Sequence, residues 1–213
     1  VVKIPSSCNL PLPHALISAL VGLLAIVAAS PISGAAKRPN IVLMIADDCT
    51  YLDMEVYGGQ AKTPNLNKLA KEGLTFTRCF QTAPMCSPTR HNIYTGLYPV
   101  RSGAWPNHTR VYPGTKSIVH YLGDSGYRVA LSGKSHISPR EAFPFEYSTD
   151  FSKNQPETRP FFPNLKKFIA QCRSSETPFC LVACSNEPHS PYTMGDPSAY
   201  PPESLKLPPS WVD

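Results

Sequence analysis

No two cysteines in this chain stand in a C-x-x-C spacing, although it has seven of them in 213 residues. The usual zinc pattern is therefore absent. Cys180 and Cys184, four apart on one face of a strand, read as core residues rather than a metal pair. Cys79 and Cys86 flank a turn, and no disulfide pairing can be read from the spacing. There is no internal repeat and no low-complexity tract. Charge is also scarce: charged residues make up 16% of the chain, and the formal net charge is +5. Residues 1–36 hold one Lys and no acid, so without them the balance is 19 basic against 15 acidic residues, or +4. That excess is too mild and too scattered to argue for nucleic acid, and it suits an anionic substrate equally well. The longest apolar run, Ala15 to Ala29 (ALISALVGLLAIVAA), is short for a spanning helix.

What is present suits one globular domain. Hydrophobic residues make up 42% of the chain, enough for a sizeable core. Proline is abundant at 24 residues, and much of it follows Pro156, which predicts a loop-rich second half. The apolar run and the small residues Ser33-Gly34-Ala35 after it fit a secretory signal peptide, or else an uncleaved amino-terminal anchor, over residues 1–36. Either reading exports the protein, to the periplasm or the extracellular space, or to the lysosome in a eukaryote.

After the leader, strands and helices alternate. Ile41–Ala46 (IVLMIA) is an apolar run that predicts a strand buried on both faces of a parallel sheet. Helices are expected over Asn65–Glu72, Ser87–Tyr94, Lys116–Ser125 and Asn164–Arg173, where apolar residues recur at helical spacing. Strands are expected over Leu74–Phe80, Tyr127–Leu131 and Phe179–Cys184. This alternation implies an α/β fold with a largely parallel sheet flanked by helices.

In such folds, sites form beyond the carboxyl ends of strands. Asp47 and Asp48 follow the first strand, Lys134 and His136 follow Tyr127–Leu131, and His189 follows Phe179–Cys184. All five should gather at one edge of the sheet. Adjacent carboxylates repel unless a cation or donors intervene. A hard, oxygen-ligated divalent ion resolves the repulsion, and a solvated turn is the plainer alternative. Cys86 opens a helix, where free N–H groups and the dipole favour an anion. It reads as a structural cysteine or as a low-pKa thiolate nucleophile. Arg90, one turn on, projects over the same end.

Cys86-Ser87-Pro88-Thr89-Arg90, followed by Thr95-Gly96-Leu97, resembles the signature of the type I, formylglycine-dependent sulfatases. Asp47-Asp48, Thr63-Pro64-Asn65-Leu66, Gly133-Lys134-Ser135-His136 and Pro188-His189 extend the resemblance from about Arg38 to the end of the chain. Two positions depart from the family pattern without removing a catalytic group: Tyr94 replaces an aliphatic residue, and Ser135 an aromatic or basic one. The resemblance implies an alkaline-phosphatase-like fold and conversion of Cys86 to formylglycine by a maturation enzyme. One hydroxyl of the aldehyde hydrate would attack sulfur, and the other would later expel the sulfate. The metal would be calcium, held by Asp47, Asp48 and the residue derived from Cys86. Arg90 and Lys134 would face the sulfate, His136 would assist the formylglycine hydroxyl, and His189 would contact the sulfate or protonate the leaving group. The segments Gly133 to Pro139 and Phe143-Pro144-Phe145-Glu146-Tyr147 further resemble the heparan N-sulfatase branch, which implies a sulfated sugar as substrate.

The family also supplies a further metal Asp with an Asn or His partner, and another Lys, from sequence not found here. On that ground residues 37–213 are expected to be the amino-terminal part of a catalytic domain, incomplete at its carboxyl end. Two rival readings accompany the sulfatase. One is a phosphoester hydrolase of the same superfamily, and the other is a truncated, inactive product that binds sulfated glycans.

Overall fold

The computed structural model describes residues 38–147, 160–192 and 195–207. The expected leader over residues 1–36 lies outside them. Four strands form one sheet in the order β1 (Ile41–Ile45), β4 (Phe179–Cys184), β2 (Arg128–Gly133), β3 (Glu146–Tyr147), and every pairing is parallel. Five α-helices are described: α1 (Pro64–Glu72), α2 (Cys86–Thr95), α3 (Pro99–Ser102), α4 (Ile118–Asp124) and α5 (Phe162–Ser174). The α/β expectation holds, and four of the five helices and three of the four strands lie where the apolar spacing put them. Short α3 and two-residue β3 were not anticipated.

Local chemistry explains several boundaries. Pro64 and Pro99 open their helices, where a missing N–H costs nothing. Pro88 sits in the first turn of α2 for the same reason. Gly96 ends α2 in the left-handed region (φ 70°), and its N–H donates to the Asn92 carbonyl at 2.8 Å. Gly126 (φ 81°) turns the chain from α4 into β2.

The core lies on both faces of β2 and β4. One face packs Leu131, Val182 and Cys184 against Tyr94 of α2, Val119 of α4 and Phe143 and Phe145. The other packs Ala130, Phe179 and Leu181 against Phe168 and Cys172 of α5. Cys180 and Cys184 are buried core residues, as read from their spacing. Tyr94 is buried too, edge-on to Phe143 and Phe145, with its hydroxyl 3.4 Å from the Cys184 sulfur. The departure from an aliphatic residue is thus absorbed by an aromatic cluster.

Two expectations fail. β1 is not buried on both faces: Val42 and Met44 are 57% and 60% exposed. They share a face with Leu181 and Ala183 through the register Val42↔Leu181 and Met44↔Ala183, but α5 covers only the β2–β4 part of that face. Leu74–Phe80 forms no strand; Leu74, Phe76 and Phe80 stand largely exposed. Alternation alone makes no strand without a neighbour to complete its hydrogen-bond ladder, and none lies beside this segment among the described residues.

Candidate active site

The strand ends meet as the topology requires. Beyond β1, β2 and β4 the backbone continues the pairing: the Ser185 N–H donates to the Ile45 carbonyl (2.8 Å), Lys134 to Cys184 (3.2 Å) and Asp47 to Glu187 (3.2 Å). These bonds hold the three loops carrying Asp47 and Asp48, Lys134 and His136, and His189 against one another. Asp48 sits at φ 54°, a left-handed conformation that Asp tolerates better than most residues. A cleft of about 540 Å³ opens there, lined among others by Asp47, Asp48, Cys86, Thr89, Arg90 and Asn107.

Asp47 is the hub. Its two oxygens accept from different cations: Oδ1 from Arg90 Nη2 at 3.2 Å, and Oδ2 from Lys134 Nζ. Burial alone would raise its pKa, but the bonds to Lys134 and Arg90 outweigh that and hold the carboxyl below its ordinary range. Arg90 is 2% exposed and also donates to the Lys134 carbonyl at 3.0 Å. Its Nε is buried with no hydrogen-bond partner.

Cys86 is the first residue of α2, as read from the sequence. Its sulfur lies 3.9 Å from Asp48 Oδ1. Burial, and then the carboxylates of Asp47 and Asp48, push its thiol pKa up, with Lys134 opposing. This counts against the low-pKa thiolate alternative: desolvation and two carboxylates outweigh what the helix end favours. One N-terminal N–H of α2 is already taken, since Ser87 N donates to Asn107 Oδ1 at 3.2 Å.

His189 Nδ1 donates to the Ser190 carbonyl at 2.8 Å, so Nε2, 3.7 Å from Asp48 Oδ2, presents either a second proton or a lone pair. A lone pair facing a carboxylate is unfavourable unless a cation lies between. Ligand atoms of Asp47, Cys86 and His189 all fall within 4.8 Å of one another. This set fits one side of a cation's coordination sphere. With the thiol as it stands the donors are an oxygen, a sulfur and a nitrogen, and an oxygen in place of sulfur would leave two oxygens suited to a hard ion beside the imidazole nitrogen of His189. Asp48 adds a further carboxylate beside them.

His136 joins the group less closely. Burial, then His108, Lys134 and Arg90, lower its pKa. Its one hydrogen bond, at 2.8 Å, is to His108.

Three residues of the site were missed in the sequence: Asn107, His108 and His91. His91 is fully buried on α2; its Nδ1 donates to Ser87 O (2.7 Å) and its Nε2 accepts from Ser138 N (3.0 Å). It ties α2 to the loop that follows His136. The only available signal was the clustering of polar residues between Trp105 and Arg110, and it carries no periodicity.

The family model described as Sulfatase matches residues 39–205. The ulvan-active sulfatase of Formosa agariphila is 33% identical over 161 residues, covering 75% of this chain and 32% of its own. Human N-acetylgalactosamine-6-sulfatase is 35% identical over 133 residues, covering 55% of this chain and 26% of its own. This chain thus spans about a third or less of those relatives. A solved structure of an alkaline phosphatase superfamily protein from Vibrio parahaemolyticus aligns with a TM-score of 0.56 at 19% identity, over 76% of this chain and 43% of that one, and supports the expected fold. The relatives include a 6-sulfatase, so the narrower likeness to the heparan N-sulfatase branch is not what the comparisons single out. With the match running through every strand end that builds the cleft, the chain belongs to the sulfatase family.

Proposed function

We propose that the protein hydrolyses the sulfate ester or sulfamate of a sulfated sugar, with Cys86 converted to formylglycine and calcium bound at Asp47 and Asp48. The observation that carries this reading is the setting of Cys86. Its thiol is pressed against carboxylates that keep it protonated, a poor place for a thiolate nucleophile and a good one for a hydroxyl. Formylglycine would supply that hydroxyl, and calcium would offset charge on the sulfate oxygens.

The chain's own groups take the remaining work. Arg90 and Lys134 present positive charge beside Cys86. Asp47 and Asp48 offer carboxylate ligands to the cation. His136 accepts a hydrogen bond from the formylglycine hydroxyl. His189, held by Ser190, donates a proton to the leaving oxygen or nitrogen. The names of the relatives support a sugar sulfate. The Gly133 to Pro139 and Phe143 to Tyr147 segments support N-sulfated glucosamine in particular. A maturation enzyme would install the aldehyde, and export follows from the apolar leader.

Sulfate release from an aryl sulfate, a 6-O-sulfated and an N-sulfated glucosamine tests the reading, using the gene's full open reading frame expressed with a maturation enzyme. Turnover that is lost in Cys86→Ala and restored to chelated enzyme by calcium is expected. Restoration by zinc alone, on phosphate rather than sulfate esters, would point to a phosphohydrolase. Preference for the 6-O-sulfate would overturn the N-sulfatase assignment.

A further inference from the structure

His136 and His108 form a pair that the proposed reaction has not used. His136 Nε2 and His108 Nδ1 are 2.8 Å apart, with the rings tilted at 42° and their centroids 4.6 Å apart. Both residues stand in the left-handed region, His108 at φ 58° and His136 at φ 47°. That conformation costs a non-glycine residue about 1–3 kcal/mol and persists where surrounding contacts demand it. The other nitrogen of His136, Nδ1, is buried and has no partner.

Only one proton can lie between the two rings when both are neutral, so the contact selects a tautomer. If His136 Nδ1 carried its proton, a buried N–H would be orphaned, which native structures rarely tolerate. That N–H would also lie in the field of Lys134 and Arg90, the cations nearest the ring, with Asp47 the one opposing charge. A bare lone pair at Nδ1 suits that field better. The proton then belongs on Nε2, and His108 Nδ1 must accept it.

We infer that His108 is a positioning residue: it accepts a hydrogen bond from His136 Nε2 and so fixes His136 with a bare, buried Nδ1 ready to accept from a hydroxyl. The inference rests on the role proposed above for His136 and deepens it. His108 touches no reacting atom. It acts through the orientation and protonation of its neighbour, as the partners of functional histidines commonly do. The single ring proton of neutral His108 then lies on its own Nε2.

Long-range proton–nitrogen NMR correlation of the 213-residue chain above pH 8 reads the tautomer directly and needs no turnover. In the wild type, His136 Nε2 should appear protonated and Nδ1 bare. His108→Ala should reduce that preference about tenfold, a change of about 1.4 kcal/mol. His108→Asn, whose amide places a polar atom where Nδ1 stands, should restore it. A wild-type His136 protonated on Nδ1 would overturn the inference. So would an unchanged tautomer in His108→Ala, with folding confirmed by the shifted resonances of buried Val182 and Leu131. Loss of sulfate release with the tautomer intact would count against the proposed reaction and leave this assignment standing.

Discussion

The two sides of the sheet are built from the same kind of strand and buried quite differently. β2 and β4 are covered on both faces, and Leu131, Val182 and Cys184 are 1% exposed or less. β1 is just as apolar, yet Val42 and Met44 stand more than half exposed, because α5 stops short of them. Both sides nevertheless deliver groups to one edge of the sheet: β2 and β4 send Lys134, His136 and His189, and β1 sends Asp47 and Asp48. The difference teaches that the placement of site residues follows backbone register, which continues past the strand ends, and not how much each strand buries. Asp47, on the open side, is held by charge: its ion pairs to Arg90 and Lys134 do there what packing does for β2 and β4.

That contrast can be broken at its strongest point first. Leu131→Ala, in the covered core, should destabilise the chain by about 2–5 kcal/mol in chemical denaturation. Arg90→Met removes one partner of a buried ion pair, and a loss of about 3 kcal/mol is expected, the low end for such a change because Lys134 still holds Asp47. An unaltered midpoint for Arg90→Met would show that charge does not hold the open side.

Acid sharpens the comparison. Burial lowers the pKa of His91, against two backbone bonds that raise it, and burial and neighbouring cations lower that of His136. Both stay neutral in the fold at a pH where the unfolded chain already takes up protons. Stability should thus be full above the ordinary histidine pKa of about 6.5 and fall as pH drops below it, by up to about 1.4 kcal/mol per unit for each histidine. His91→Gln should flatten that slope. The smallest effect belongs to the open face: Met44→Ala should change stability by no more than about 0.5 kcal/mol. A loss comparable to that of Leu131→Ala would mean that something covers this face of β1.

Much of this was legible in the sequence. The apolar runs located β1, β2 and β4, and the rule that sites sit beyond strand ends brought Asp47, Asp48, Lys134 and His189 together correctly. Cys86 was read at the start of α2, and Pro88 in its first turn suits that place. Leu74–Phe80 misled because alternation reports a strand's two faces and says nothing of its neighbours. The raised thiol pKa of Cys86 was not legible because the helix end is a local property, whereas Asp48 comes from 38 residues away. Asn107 and His108 were invisible for a related reason: a loop residue reaching a helix N-terminus leaves no period in the sequence.

Whether Cys86 is a precursor or itself the nucleophile is read directly by peptide mass spectrometry of the full-length protein made with an active maturation enzyme. The peptide carrying Pro84 to Arg90 should be about 18 Da lighter than its unmodified sequence, the mass change from thiol to aldehyde. A peptide of unmodified mass from protein that still releases sulfate would contradict the account.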